Sequence, residues 1–473
     1  MKHFWYNTHI LKSGASHGAD KMRNVVTSAS AIMRERRPRS NTAVDSYGIV
    51  AADSFSSLEH GLSYKRVYAP LTAVIVAPFV GDAAVIANIE TNSFPYSINR
   101  QSHLTVSGRV NLGSFYTPSK YVALVGEWLL AHGIDESWTI ADLSCGYGAF
   151  FELSSNANFA GCRFVGNDID EEAVSAAQKM FPRTEFTVQN TLHDVTRGKF
   201  LLGEGERIVI VGNPPYNDVT SQINQRIKTG DVTMDADIKT RDLGMSSLLA
   251  YDKLKADYVA VLHPLSYLIK KANFKATARF FANYEMLEHV VFSSQEFAGT
   301  SKTTGFPVIV ALYRRAEGRG LTYQAVQNIR FRTTEGDSFV LSSFDYVADH
   351  VKKYPHKDRY EPEVLFYTMR DINALKRSRT FIKERIANAV DVAPEQLSYY
   401  CYIDCFKRYA QVPYWMGNFD VPFIENEFAN IMDAVVADAK FHNQDVFGEQ
   451  PQPPLKDVER IRDYINKVLK QEE

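Results

Sequence analysis

The stretch W-T-I-A-D-L-S-C-G-Y-G-A-F, residues 138–150, decides the fold that this sequence predicts. Its first half is apolar and β-branched, which favours a buried strand, and its second half carries two glycines separated by one residue. Gly146 and Gly148 allow a tight turn into a helix and a close approach of the backbone to a ligand. Because such glycines also serve packing alone, the meaning of the turn depends on the surrounding chain.

The surrounding chain, from 110 to about 315, alternates short β-branched runs with helical stretches. Six further runs predict strands: C-R-F-V-G-N-D (162–168), E-F-T-V-Q-N (185–190), R-I-V-I-V-G-N (207–213), Y-V-A-V-L-H-P (258–264), L-E-H-V-V-F (287–292) and F-P-V-I-V-A-L-Y (306–313). Segments with helical spacing, such as E-E-A-V-S-A-A-Q-K-M-F (171–181), lie between the first strands. This alternation predicts an α/β, doubly wound, Rossmann-like sheet, which binds ligands at the carboxyl ends of its strands.

Polar residues follow three of these strands. Asp142 ends the first, and Asp168 ends the second, where a carboxylate can accept hydrogen bonds from both hydroxyls of a ribose. The alternative for Asp168 is a solvated loop carboxylate. Asp170 is better placed to cap the helix that begins at Glu171. Asn190 follows the third strand, where its amide could pair with an adenine ring.

The fourth strand ends in N-P-P-Y, residues 213–216. An adenine amino group, like an amide, is a poor nucleophile because its lone pair is delocalised. The side-chain oxygen of Asn213 and the carbonyl of Pro214 can accept its two N–H groups and free that lone pair. Pro214 and Pro215 fix φ and remove N–H donors, and Tyr216 offers a ring face for stacking. The alternative is a plain turn, which does not require all four residues at this edge of a sheet.

Together these blocks resemble the gamma class of amino-group DNA methyltransferases, adenine-N6 enzymes of restriction–modification type that use S-adenosylmethionine. Their order matches: the Thr-Pro segment G-S-F-Y-T-P-S-K-Y-V-A (113–123), the glycine turn, the acidic second strand, and N-P-P-Y. The block H-P-L-S-Y-L (263–268) is similar to the one after that family's fifth strand. Over about 110–315 the resemblance rests on matching motifs. Over 320–430 it rests only on the position of that segment in the chain.

The resemblance implies a set of site residues. The residues that it assigns to the cofactor are Thr117, Pro118, Asp142, Cys145, Gly146, Gly148, Asp168 and Asn190. The family usually has Asp at the position of Asn190, a departure that leaves an acceptor in place. Asn213, Pro214, Pro215 and Tyr216 fall on the catalytic block. Phe297, in S-Q-E-F (294–297), matches an aromatic residue that is presented to the flipped base; the alternative is a core phenylalanine.

The implied function is site-specific methylation of the N6 amino group of a flipped-out adenine, with no metal. Double-stranded DNA is the expected partner, a separate cognate restriction endonuclease is a second one, and a cytoplasmic monomer is expected. Two rivals use the same chemistry: an RNA adenine methyltransferase and a release-factor glutamine N-methyltransferase. The second lacks the Thr-Pro block and the roughly 150 residues after the sheet. A catalytically silent DNA-binding module is the alternative of another class. No convincing P-D…E-x-K arrangement suggests a fused nuclease.

Three domains are predicted: an N-terminal extension, partly disordered, over 1–105; a catalytic domain over 106–316; and a target-recognition, DNA-binding domain with a terminal helix over 317–473. The last contains a basic stretch whose candidate DNA contacts are Lys376, Arg377, Arg379, Lys383 and Arg385. The alternative is a solvated helix face. The aromatic residues that follow it are expected to be core or domain-contact residues, with base contacts as the alternative: Tyr399, Tyr400, Tyr402, Tyr409, Tyr414 and Trp415.

Composition limits the remaining possibilities. The chain has 473 residues and a net charge of −2, so a basic surface for nucleic acid must be local. Four cysteines without paired C-x-x-C motifs indicate neither a disulfide framework nor a zinc site, and favour a reducing compartment. The apolar stretch 69–89 contains Pro70, Pro78 and Asp82, so buried strands are expected there rather than a membrane span.

Overall fold

The computed structural model describes residues 116–215, 233–297 and 305–470. The predicted N-terminal extension and the apolar stretch 69–89 lie outside these residues. The chain divides into two compact units, of which the first holds the described residues up to 297 with 308–325 and 331–338, and the second holds 305–307, 326–330 and 339 onward. Each unit is described separately. Among the described residues, no helix combines the length and the hydropathy needed to cross a membrane.

The first unit is built on a seven-stranded sheet in the order β3-β2-β1-β4-β5-β7-β6. Its strands are β1 Thr139–Asp142, β2 Arg163–Asp168, β3 Glu185–Val188, β4 Ile208–Gly212, β5 Tyr258–Pro264, β6 Tyr284–Ser293 and β7 Pro307–Arg315. The first five strands pair in parallel, and β7 runs antiparallel to β5. All seven predicted strands are present, and the α/β doubly wound sheet is confirmed.

The strand order reverses at β1, which pairs with β2 on one side and β4 on the other. Such a reversal opens a crevice at the carboxyl ends of the two central strands, because the connections leave on opposite faces. β1 and β4 are buried along their whole length. This explains why they are continuous apolar runs rather than alternating ones, since a central parallel strand is covered on both faces.

Helices of the first unit cover this sheet: α1 Ser119–Ala131, α2 Glu171–Met180, α3 Leu243–Lys253, α4 Ser266–Ile269, α5 Lys271–Ala276 and α6 Ala278–Asn283. α2 shows why the chain becomes helical where it does. The Asp170 carboxylate accepts from the amides of Glu172 and Ala173 at 3.0 and 3.2 Å. Asp170 is therefore the helix cap that the sequence predicted, and acidic residues in the first turn add a favourable dipole term.

The segment after the glycine turn differs from the expected helix. It forms two 3₁₀ segments, Ala149–Ser155 and Ala157–Phe159, in place of an α-helix. The Asn156 side chain accepts from the backbone amide of Asn158 at 3.0 Å, which substitutes a local turn for the next helical hydrogen bond.

The second unit is smaller and mixed. In the chain it follows α7 Tyr323–Gln327, β8 Arg330–Arg332 and β9 Ser338–Val340, and it contains the strands β10 Asp345–Tyr346, β11 Leu365–Tyr367, β12 Phe381–Ile382, β13 Ala389–Asp391 and β14 Pro422–Phe423. Its helices are α8 Ile372–Arg377, α9 Leu397–Tyr409, α10 Glu425–Phe428, α11 Met432–His442, α12 Gln444–Phe447 and α13 Leu455–Leu469. β11 pairs antiparallel with both β12 and β13.

The core of the second unit is aromatic. Tyr400, Tyr402 and Trp415 are buried, as expected for the aromatic stretch. The Tyr402 hydroxyl donates to the carbonyl of Pro422 at 2.9 Å, so its polar tip is satisfied inside the core. The predicted terminal helix is α13, which buries one face through Ile461 and its helical neighbours.

Candidate active site

The glycine turn lies at the carboxyl end of β1, where the sheet reverses its strand order. The Cys145 amide donates to the carbonyl of Asn167 at 2.9 Å, and the Gly148 amide donates to the carbonyl of Cys145 at 2.7 Å. Gly146 and Gly148 have φ values of +49° and +83°, a conformation that side chains other than glycine rarely adopt. A Cβ at Gly146 would have no heavy atom within 4 Å, so the backbone there faces open space.

Asp168 lies beside this turn at the end of β2. One of its carboxylate oxygens accepts from the Gly146 amide at 2.7 Å, and the other accepts from the Asp170 amide at 3.0 Å. The carboxylate is therefore held in place by two backbone donors and is not a solvated loop group. Burial raises its pKa, against the effect of those two donors.

Asp142 is the most deeply buried acid of the site, with 2% of its surface exposed. Its Oδ1 accepts from the Ser144 amide at 3.1 Å. A Cβ on Gly212 would lie 2.9 Å from the same oxygen, so the carboxyl group touches the end of β4 directly before Asn213. Burial raises the pKa of Asp142 to about 8, and the negative charge of Asp168 adds to the effect. A buried acid that is affected by the charge of a second carboxylate favours a ligand that brings positive charge or hydrogen-bond donors.

Asn167 joins the ends of three strands, and sequence reasoning missed it. Its buried amide donates to the carbonyls of Leu143 and Gln189, both at 3.1 Å, and to the Thr191 hydroxyl at 3.0 Å. Its oxygen accepts from the Thr187 hydroxyl at 2.8 Å. These bonds set the spacing of the strand ends that carry Asp142 and Asp168. The clue in the sequence to Asn167 was a polar side chain within a predicted buried strand, C-R-F-V-G-N-D.

Two exposed apolar side chains flank Asp168. Ile169 is 64% exposed and Val188 is 42% exposed. Val188 is the cross-strand partner of Asp168, so the two side chains point to the same face of the sheet. Exposed aliphatic groups next to a fixed carboxylate form a surface that suits a flat ring attached to a ribose. The clue in the sequence to Ile169 and Val188 was their position at the ends of predicted strands, beside the acidic end of β2.

Asn190 lies two residues after the end of β3, and its side chain has partners within the protein. Its Oδ1 accepts from the Leu192 amide at 2.9 Å, and its Nδ2 donates to the carbonyl of Thr233 at 2.8 Å. In this arrangement the amide joins the residues after β3 to the segment that precedes α3. Pairing with an adenine ring would use the remaining N–H and lone pair of the same group.

The Thr-Pro segment comes to the glycine turn through α1. Thr117 is buried, and Pro118 occupies the cap position of α1, with its carbonyl accepting from the Tyr121 amide at 3.0 Å. The Ser119 hydroxyl donates to the Glu152 carboxylate at 3.2 Å, which ties the start of α1 to the 3₁₀ segment after the turn. Burial raises the pKa of Glu152 to about 7. The structure thus brings together segments that are about 30 residues apart in the chain.

The N-P-P segment follows β4 at the same edge of the sheet. Asn213 and Pro215 are half-buried and Pro214 is buried. The Pro215 carbonyl lies against the first turn of α3, 3.3 Å from the position of a Cβ on Gly244. Tyr216, the predicted stacking residue, lies outside the described residues. Cys145 is buried too, and burial raises the pKa of its thiol well above the usual value, which makes it a packing residue of the turn and a poor nucleophile.

Phe297, the second predicted stacking residue, is placed in the core. It is 1% exposed, and its ring centroid lies 5.6 Å from that of Phe292 in an edge-on contact. Stacking on a base would require the ring to leave this contact. The environment in the structure is therefore that of the alternative which the sequence left open, a core phenylalanine.

The predicted DNA contacts in the second unit are exposed but not equivalent. Arg385 donates to both oxygens of the buried Asp391 at 2.8 and 2.7 Å, which is a structural ion pair. The Arg379 guanidinium lies 5.9 Å from the centroid of the Tyr367 ring. Burial lowers the pKa of Lys376. Arg377 and Lys383 are exposed.

Comparisons with known proteins give the following. No protein-family model matches the chain, and no curated protein matches it. Among solved structures, it is similar to a modification subunit of a candidate type I restriction enzyme from Vibrio vulnificus, with 14% identity over 68% of this chain and 85% of that one and a TM-score of 0.34. It is also similar to the methyltransferase subunit of a type I restriction-modification system from Streptococcus thermophilus, with 12% identity over 69% and 81% and a TM-score of 0.34.

A third similar structure is a candidate RNA methyltransferase from Pyrococcus horikoshii, with 15% identity over 44% of this chain and 90% of that one and a TM-score of 0.29. At such identities and TM-scores the similarity assigns this chain no activity. Its function has to be inferred from its own residues.

Proposed function

We propose that this chain is an S-adenosylmethionine-dependent DNA methyltransferase that modifies the N6 amino group of adenine, as the modification enzyme of a restriction–modification system. One observation carries the proposal. The buried carboxyl group of Asp142 touches the end of β4 immediately before Asn213. Two halves of a site therefore meet at the point where the sheet reverses its strand order. The cofactor half has the glycine turn and two acids, and the acceptor half has the N-P-P segment.

The residues at the crevice fit the proposed cofactor. The open space beside Gly146 leaves room for a ligand against the backbone, and the fixed carboxylate of Asp168 can accept from two ribose hydroxyls. Ile169 and Val188 offer the apolar surface that an adenine ring needs. Burial raises the pKa of Asp142 to about 8, and the cofactor carries two positive groups, a sulfonium and an ammonium, that would favour its ionised form. Thr117 and Pro118 would lie beside the methionine part.

When bound, the cofactor supplies an electrophilic methyl group on sulfur. The protein's own contribution is to hold the acceptor nitrogen in line with it. The Asn213 side-chain oxygen and the Pro214 carbonyl accept the two amino hydrogens in tetrahedral directions, which frees the nitrogen lone pair. The methyl group would pass from the cofactor's sulfur to this nitrogen, and the surplus proton would leave the nitrogen for solvent. No side-chain base is required, because a protonated aryl amine is strongly acidic. Much of the rate then comes from orientation of the two bound groups.

Adenine cannot reach this edge of the sheet while it is stacked in a duplex, so it must be flipped out at a cost of a few kcal/mol. Tyr216 is the proposed stacking partner, and Phe297 would contribute only after leaving the core. Residues 317–473 would recognise the target sequence, with Arg377, Arg379 and Lys383 as phosphate or guanine contacts. A separate restriction endonuclease and a cytoplasmic, monomeric state complete the proposal.

The test is transfer of a labelled methyl group from S-adenosylmethionine to unmethylated genomic DNA, total RNA and release factor in parallel. The expected product is N6-methyladenine in DNA. Label found only in RNA, or only in release factor, would mean that the substrate is RNA or protein and not DNA. Asn213→Ala should retain cofactor binding and lose most of the transfer, by a factor of about 10² or more. Asn158→Ala, an exposed asparagine of the same unit, is the matched control and should behave as wild type. Wild-type rates in Asn213→Ala would remove the catalytic assignment.

A further inference from the structure

Three groups converge on the first turn of α3, directly behind the N-P-P segment. A Cβ on Gly244 would lie 2.6 Å from the Tyr267 hydroxyl, 3.3 Å from Oδ1 of Asp242 and 3.3 Å from the Pro215 carbonyl oxygen. A side chain at this position would displace at least one of them. The glycine therefore permits a contact in which the N-P-P backbone, a tyrosine and a capping aspartate touch the same turn.

Asp242 joins two of these elements. Its Oδ1 caps α3 by accepting from the Gly244 and Met245 amides at 3.0 and 3.2 Å. The same oxygen accepts a short hydrogen bond from the Tyr267 hydroxyl, which belongs to α4 at the end of β5. The start of α3 is thus attached to the sheet through a side-chain bond as well as through the chain.

Tyr267 is itself held by a histidine inside the sheet. The rings of His263 and Tyr267 stack with centroids 5.4 Å apart and an angle of 6°. His263 Nδ1 donates to the Pro264 carbonyl at 2.9 Å, and its Nε2 accepts from the Tyr313 hydroxyl at 2.7 Å. Burial lowers the pKa of His263 to about 4, so the ring is neutral at pH 7. The position of the Tyr267 ring is therefore fixed from β5 and β7.

The N-P-P segment needs such external support. Pro214 and Pro215 have no N–H groups, so the backbone after Asn213 can be held only through its carbonyls and by packing. Packing must orient it. Among the described residues, the first turn of α3 is the surface against which the Pro215 carbonyl lies.

We propose that Tyr267 is a positioning residue for the N-P-P acceptors, acting through Asp242 and the Gly244 turn. The inference rests on the proposed function, since it assigns to Tyr267 the orientation of Asn213 and Pro214 toward the amino group. Loss of the hydroxyl releases the start of α3 and lets the N-P-P backbone shift. The shift changes methyl transfer and leaves the cofactor residues on β1 and β2 in place.

The experiment compares Tyr267→Phe with Tyr284→Phe in the full chain. Tyr284 is a matched control, because it is buried in the same unit and its hydroxyl donates to the Ala256 carbonyl at 2.7 Å. For Tyr267→Phe we expect kcat to fall by about 10- to 100-fold, as for a displacement of about 1 Å, with the Kd for S-adenosylmethionine within about twofold of wild type. Hydrogen exchange of peptides spanning 208–215 should accelerate in Tyr267→Phe and not in Tyr284→Phe.

The results of this comparison distinguish a positioning role of Tyr267 from ordinary packing. Equal losses of kcat and equal exchange in the two variants would reduce Tyr267 to ordinary core packing and overturn the proposal. If Tyr267→Phe does not fold, Asp242→Ala and Asp242→Asn take its place: alanine should reproduce the loss, and asparagine, which keeps an acceptor for Tyr267, should restore most of the rate. If the wild-type chain methylates none of the offered substrates, the proposed function fails, whereas the exchange comparison still tests the positioning.

Discussion

Replacing Asp142 by asparagine should stabilise the ligand-free protein at pH 8 and weaken its binding of S-adenosylmethionine. The group is 2% exposed, and its pKa lies at about 8 instead of 3.8. Between these two values the folded protein keeps a proton on Asp142 that the unfolded chain has released. The contribution of this group to the free energy of unfolding therefore decreases as the pH rises from about 4 to about 8.

The size of the effect follows from that difference. About four pKa units at ~1.36 kcal/mol each set an upper limit of about 5 kcal/mol at pH 8. We expect a measured gain of about 1–3 kcal/mol, because buried sites respond with an effective dielectric constant well above that of a dry interior. Asparagine has the same shape, and its oxygen can still accept from the Ser144 amide. At pH 5, only about one pH unit above the ordinary pKa of 3.8, a smaller part of this cost has built up, so the gain should fall to roughly a third of its value at pH 8.

The assay is urea unfolding at pH 5 and pH 8, with titration calorimetry of S-adenosylmethionine at the same pH values. The wild-type Kd should improve with pH up to about 8, by at most about tenfold per unit, because only the ionised carboxyl group attracts the cation; the Kd of Asp142→Asn should be weak and independent of pH. Glu204→Gln, at an exposed acid of the same unit, is the control and should change neither quantity. A stability gain that is the same at both pH values, or no gain at pH 8, would refute the assignment of a raised pKa to Asp142.

Substitutions at other residues of the two units should also have measurable effects. Asp168→Ala should raise the Kd for S-adenosylmethionine at least tenfold while kcat at saturating cofactor changes little, as seen by calorimetry and initial rates. Asn167→Ala should lower the free energy of unfolding by about 3–5 kcal/mol in urea, because it leaves several buried partners unpaired. Combined Arg377→Gln and Arg379→Gln should weaken DNA binding and reduce the slope of log K against log salt by about 2; unchanged slopes would exclude both residues from the interface. Arg385→Gln should instead lower the thermal midpoint, because it leaves a buried aspartate with one fewer partner.

The elements that local pattern specifies were predictable. The strands β1, β4, β5 and β7 are runs of mainly apolar and β-branched residues, and their burial follows from a sheet covered on its two faces. The cap at Asp170 was predictable for a similar reason, since a carboxylate next to a helix start satisfies donors two and three residues away. Local errors arose where a side chain offers the backbone an alternative, as Asn156 does in the 3₁₀ segment after the turn.

The site was predictable only as a set of strand ends. The order of blocks indicated that Asp142, Asp168 and Asn213 would share one edge, because parallel strands place their carboxyl ends together. The partners that hold these groups were not predictable. Asn167 bonds to residues at the ends of two other strands, β1 and β3, and the environment of Phe297 depends on a ring from β6. Such contacts depend on register and packing, which no local window of sequence contains.

The amino-acid sequence by itself determined the sheet, the direction of its strands and the chemistry available at their ends, because each of these depends on residue type and short-range order. Only the tertiary structure decided which of those chemical groups are buried, charged or already bonded. It raised the pKa of Asp142, paired Arg385 with a buried acid and brought Tyr267 to the turn behind Pro215. The physical reason is that desolvation and hydrogen bonding act over a few ångströms in space, between residues that are tens of positions apart in the chain.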